Sequence, residues 1–138
     1  MTIPARLRRQ ITERAKHRCE YCGLSQAGQE AEFHIDHIVP ISAEGSTTLD
    51  NLALACVSCS LRKGARETAL DPQTGKDASL LDPRRDLWPR HFRWESERVI
   101  GLTATGRATI TALSMNRPLA LAIRKEETLR GRHPPPFE

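Results

Sequence analysis

Apolar residues in this chain come in short runs, and the spacing within each run decides the element it predicts. From Pro4 to about residue 17, Leu7, Ile11 and Ala15 recur every fourth position, which predicts a helix with one apolar face. Pro4 suits its first turn, where a missing N–H costs nothing. Phe33, Ile35, Ile38 and Val39 favour a half-buried strand over 32–40, ended by Pro40, which has no N–H for a ladder. Residues 42–48 are small and polar, a loop by composition. Ala53-Leu54-Ala55 predicts a second short strand, and Cys59-Ser60-Leu61-Arg62-Lys63 the opening of a helix that Gly64 interrupts or ends.

Beyond residue 70 the pattern changes. Residues 71–90 are broken by Pro72, Gly75, Pro83 and Pro89 and read as a loop, long for a compact domain. His91–Trp94 and 98–102 predict a hairpin around Glu95-Ser96-Glu97. Two helices follow, at about 103–115 and 118–130, parted by Asn116-Arg117-Pro118. From Gly131 the tail, with three consecutive prolines, is expected to be extended and mobile. The expected class is α+β, with residues 1–70 as core and 71–138 as an extension packed on it.

Composition sharpens this reading. Aromatics make up only 4% of the chain and charged residues 28%, so the core is thin and needs a staple. No run is apolar enough to span a bilayer, and the basic N-terminus lacks an apolar signal region. A soluble, cytoplasmic protein without a membrane partner is the expectation. Residues 1–30 hold six Lys/Arg against three Asp/Glu, 31–60 none against four, and 61–138 fifteen against ten. An acidic centre between basic flanks suits a metal site set within a polyanion-binding surface.

The staple is visible in the cysteines. Cys19-x-x-Cys22 and Cys56-x-x-Cys59 are two knuckles with 33 residues between them. Without a secretion signal, disulfides are disfavoured, and paired C-x-x-C motifs read as a tetrahedral zinc site with four thiolate ligands. Binding free energy on the order of 10–16 kcal/mol makes such an ion a folding requirement. Its filled shell leaves no open position for catalysis.

Asp36 and His37 are adjacent in the first predicted strand. A regular strand sends neighbours to opposite faces, so the two serve one site only if the backbone bends at the strand's end. His34 shares the Asp36 face. Asn51, in a loop, suits an Asx turn.

Taken together, the two C-x-x-C pairs, Asp36-His37, Asn51 and Ser60-x-x-Lys63-Gly64 resemble the HNH family of metal-dependent nucleases. The resemblance covers about 19–64 closely. The stretch with His91-Phe92-Arg93-Trp94 and Gly106-Arg107-Ala108-Thr109 is similar to the C-terminal extension of one bacterial HNH subgroup. It implies a ββα-metal core, a hairpin and a helix clasping one divalent cation, with a hairpin-plus-helices extension. It further implies His37 as general base, Asn51 as the residue bracing the His37 loop, and Asp36 with Ser60 as ligands of a catalytic Mg2+ or Mn2+. The family usually has His or Asn at the Ser60 position. A hydroxyl there leaves three outcomes: a weaker metal site, a site completed by His34 or water, or a fold kept for binding alone. His34 is otherwise a supporting residue behind that site.

Arg62, Lys63 and Arg66 are candidates to hold a nucleic-acid backbone. Phosphate contacts carry no sequence information, so the expected activity is a DNA endonuclease, a nickase with little sequence specificity. The alternatives are a catalytically weak or inactive, zinc-dependent nucleic-acid-binding module and a thiol redox protein. Trp88, Phe92 and Trp94 suit core packing of the extension more than stacking on bases.

Overall fold

The computed structural model describes residues 3–137, and its chain divides between Glu67 and Thr68 into two units. The division falls three residues before the expected position because Thr68–Leu70 is a strand of the second unit's first hairpin. Among the described residues, every sheet is a two-stranded antiparallel hairpin, so the class is α+β.

The first unit opens with α1 (Ala5–Arg14), which turns Ile11 fully inward. Two arginines from its polar side are structural. Arg14 donates to the carbonyls of Leu49 and Leu52 at 2.7 and 2.6 Å, and Arg8 to that of Phe33 at 3.1 Å. They tie the helix to the hairpin of β1 (His34–His37) and β2 (Leu52–Ala55). The register sets His34 against Ala55, Asp36 against Ala53 and His37 against Leu52. All four residues of β2 are buried because α1 and α2 (Val57–Lys63) both pack on it.

Helix α2 begins at Val57, two residues before the predicted opening at Cys59. Cys56 caps it, its sulfur accepting the Cys59 N–H at 3.4 Å, so a knuckle cysteine does the work usually done by Ser or Asp. Gly64, at φ +55°, ends it.

In the second unit, β3 (Thr68–Leu70) pairs with β4 (Asp77–Ser79), which corrects the expected loop over 71–90. Three-residue strands are too short to display a period of two. What closes the turn is Asp71, whose carboxylate accepts from the Gln73 N–H, the Thr74 hydroxyl, and Arg107 Nε and Nη2, each of the last two at 3.0 Å. Pro89 starts a helix instead of breaking one: α3 (Trp88–His91) leads into the hairpin of β5 (Phe92–Glu95) and β6 (Arg98–Gly101). The helices α4 (Ala104–Ala112) and α5 (Pro118–Leu129) match the two predicted spans closely. Gly106 is required by close approach, since a Cβ there would collide with the His91 carbonyl. His91 itself is structural, with Nδ1 2.7 Å from the Thr103 hydroxyl that caps α4.

Trp88, Phe92 and Trp94 pack on one another, with Trp88 centroids 4.7 Å from Phe92 and 5.2 Å from Trp94. The proline tail is engaged by the same cluster. Pro135 is buried, the Phe137 ring lies 4.8 Å from Trp88, and the His133 ring stands edge-on to Trp94. Where an extended, mobile run was expected, the chain bends at Pro134 and is anchored by the aromatic residues at either end of the prolines.

Candidate active site and metal centre

The four cysteines converge. Their sulfurs all lie within 4.8 Å of one another, with Cys22 and Cys56 at 3.8 Å. A tetrahedral ion with bonds of ~2.3 Å has ligand-to-ligand edges of about 3.8 Å, so the tetrad is consistent with structural zinc. The first knuckle is tightened by the Gly23 N–H to the Cys19 carbonyl, and by the Cys22 N–H to the Cys19 sulfur at 3.5 Å. Gly23 sits at φ +78°, where a side chain would be strained. The knuckle is then sewn to β2: the Glu20 N–H donates to the Leu54 carbonyl, and the Leu54 N–H to the Glu20 carboxylate. Burial pushes the Cys19 thiol well up, while hydrogen bonds from the other sulfurs hold Cys22 well down. Packing that many sulfurs out of water calls for a cation between them.

The tetrad fixes the hairpin against α2, and the face between them carries the polar residues. β1 and α2 run so that His34 meets Ser60 and Asp36 meets Lys63. His34 Nδ1 lies 3.0 Å from Ser60 Oγ, and both residues are half-buried. Asp36 is sealed at 7% exposure. Its Oδ2 accepts from the Tyr21 hydroxyl at 2.7 Å and pairs with the Lys63 ammonium at 3.2 Å. Burial raises the Asp36 carboxyl from its ordinary value, opposed by the Lys63 charge and the Tyr21 hydrogen bond. Burial and the neighbouring Asp36 charge also push the Tyr21 hydroxyl well up, so it remains a donor.

β1 stays regular through His37, so His37 faces away from this pair. Its Nε2 lies 2.9 Å from the Thr47 hydroxyl, and the ring is half-buried. Asp36, His37 and Ser60 therefore have different side-chain partners: Lys63 and Tyr21, Thr47, and His34 in turn. The loop carrying Thr47 is locked by Asn51, which is buried. Its Oδ1 accepts the Val39 N–H at 2.9 Å, and its Nδ2 donates to the carbonyls of Val39 at 3.0 Å and Ser46 at 2.8 Å. Gly45 completes the lock, because a Cβ there would strike the Val39 carbonyl.

Of the three basic residues expected to meet nucleic acid, Arg62 and Arg66 are exposed on and just beyond α2. Lys63 is a correction. It is 2% exposed, and its ammonium also donates to the carbonyls of His37 at 3.1 Å and Ile38 at 3.3 Å, so it cannot reach a substrate backbone. Its position one turn after Ser60 turned it inward with that residue. Tyr21 and Thr47 also escaped sequence reasoning. The signal for Tyr21 was an aromatic hydroxyl inside a knuckle, where a merely apolar residue would pack as well.

No helix among the described residues is long and apolar enough to cross a membrane. The chain shows no match to a curated protein or to a solved structure. Residues 19–66 do match the family model described as HNH endonuclease, and that span runs from the first knuckle to just past α2. A hairpin and helix pinned by a buried four-cysteine cluster, with an imidazole at the end of β1, make residues 19–66 an HNH endonuclease domain.

Proposed function

We propose that this chain is a metal-dependent DNA endonuclease that nicks one strand per site with little sequence preference. The observation that carries the reading is His37, half-buried at the end of β1 against the Thr47 of a loop that Asn51 holds by three hydrogen bonds. A neutral imidazole can accept a proton from water, and general-base help of this kind is worth ~10²–10⁴-fold. Asn51 touches backbone only, so its part is to position the loop. Arg62 and Arg66 supply positive charge for phosphates, without reading bases.

The face between β1 and α2 offers an imidazole, a hydroxyl and a carboxylate as donors for a divalent cation: His34, Ser60 and Asp36. A cation bound there supplies charge to offset what develops on the scissile phosphate and the leaving 3′ oxygen. The test is conversion of supercoiled plasmid to nicked circles with Mg2+, Mn2+ or chelator, comparing wild type with His37→Ala. Metal-dependent nicking lost in the variant supports the endonuclease. Equal residual cutting by both proteins overturns it.

One observation favours a second reading, a zinc-dependent nucleic-acid-binding module without catalysis. Asp36 is committed to Lys63 and Tyr21, and the neighbouring helix position is the neutral Ser60. DNA binding that persists with no nicking under any metal identifies that module.

A further inference from the structure

Resting on the nucleic-acid substrate of the endonuclease reading, we infer that Arg6, Arg9 and Lys16 form a docking strip for the phosphate backbone of duplex DNA. Residues 5–18 hold six Lys/Arg against one acid, Glu13, and the other acids of the first unit all lie later in the chain. Three of the six are engaged inside the fold. Arg8 holds the Phe33 carbonyl and Glu32, Arg14 the carbonyls of Leu49 and Leu52, and Arg18 that of Gly23 at 2.8 Å. Arg6, Arg9 and Lys16 are exposed, and among the described residues no side-chain hydrogen bond or ion pair holds them. A rotation of about 100° per residue puts Arg6, Arg9 and Glu13 within about 60° of one another. Ile11, fully buried, lies on the opposite side of α1.

Two features show that these cations are kept at a cost. The first turn of α1 carries no acidic residue, and Arg6 stands there against the positive end of the helix dipole. Lys16 and His17 follow with φ of +55° and +59°, a left-handed backbone that glycine or asparagine takes more readily. That turn is pinned by the Lys16 N–H to the Glu13 carbonyl and the His17 N–H to the Thr12 carbonyl, both at 3.0 Å. Basic side chains in unfavourable places, with no partner inside the fold, call for an anion outside it. The family's nucleic-acid substrate supplies a line of them, one charge per ~1.7 Å of duplex axis. The strip is also fixed relative to the reaction. Arg14 grips the carbonyl of Leu52, the residue opposite His37 in the hairpin register, so DNA lying on α1 is held against the same hairpin. Contacts of this kind set register without reading bases.

The test measures binding of zinc-loaded protein to a labelled duplex by fluorescence anisotropy, with no other divalent cation and over a range of salt. Wild type is compared with the triple variant Arg6→Gln, Arg9→Gln, Lys16→Gln. A control triple removes three exposed cations of the second unit: Lys76→Gln, Arg90→Gln, Lys125→Gln. Zinc content and circular dichroism check the fold. The strip variant is expected to lose about tenfold or more in affinity at low salt, equally for unrelated sequences, with a salt slope shallower by about 3. Glu13→Gln should tighten binding by about twofold or more, a gain that misfolding cannot mimic. An unchanged slope in the strip variant, an equal loss in the control, or Glu13→Gln binding no tighter overturns the inference. So does a wild type that does not bind duplex. Plasmid nicking separates the two levels. Strip-dependent binding with no nicking under any metal sinks the endonuclease reading and leaves the strip; His37-dependent nicking with strip-independent binding sinks the strip alone.

Discussion

The Lys63 ammonium sits 3.2 Å from Asp36 Oδ2, and both side chains are buried. This pair joins the last turn of α2 to the middle of β1, so it closes the end of the helix farthest from the cysteine tetrad. Removing one partner leaves an uncompensated buried charge, at a cost of about 3–5 kcal/mol. Lys63→Met is therefore expected to lower the unfolding free energy by that amount in urea titrations of the zinc-loaded protein. Lys63→Met combined with Asp36→Asn should recover a good part of it, because the double variant leaves no orphan charge.

The pH dependence of that loss has a definite sign. Burial raises the Asp36 carboxyl above its unfolded value of about 3.9, so in the window above that value the folded chain binds more protons than the unfolded one. Its contribution to stability therefore falls as pH rises through the window. Without Lys63 to oppose burial, the carboxyl rises further. The stability difference between wild type and Lys63→Met should thus be larger at pH 8 than at pH 5. Taking the difference cancels the loss of zinc affinity that both proteins share in acid. A deficit that is flat across this range would mean that Asp36 ionises without noticing Lys63.

On the endonuclease reading, Asn51 acts on the reaction through the loop. Asn51→Ala removes three hydrogen bonds to Val39 and Ser46 and is expected to reduce the nicking rate by on the order of 10²-fold. DNA affinity should be little changed if, as proposed, exposed arginines carry it. Asn51→Asp should be no better, since it sets a carboxylate against the Val39 and Ser46 carbonyls. Single-turnover rates and filter binding distinguish the two effects.

Removal of the tetrad's ion can be followed unit by unit. The lone tyrosine, Tyr21, is buried in the first unit, while Trp88 and Trp94 lie in the second. A strong chelator should collapse the near-ultraviolet tyrosine signal and leave tryptophan fluorescence in place. Stoichiometric release of one zinc per chain should accompany it, because binding free energy on the order of 10–16 kcal/mol is then lost from a thin core.

Much of the domain was legible from residue order. The C-x-x-C pairs fixed the staple, Pro40 the end of the strand run, and the apolar spacing α1, α4 and α5. What spacing could not show was which polar group would find which. Asp36 and Lys63 lie 27 positions apart, and only the joint register of strand and helix makes them partners. The Asp71–Arg107 clamp, 36 positions apart, hid the first hairpin of the second unit in the same way. A buried ion pair leaves no periodicity behind, so the charges read as surface.

Cys56 caps α2 and Cys59 occupies its first turn, immediately before Ser60. If the tetrad takes up zinc, the ion would tie the start of this helix to the first knuckle. A growing polypeptide carries His34, Asp36 and His37 well before it carries the groups that aim them. On the endonuclease reading, hydrolytic competence would then arrive late and all at once, under the control of trace-element supply, and a cell short of that element would accumulate the polypeptide in a harmless form.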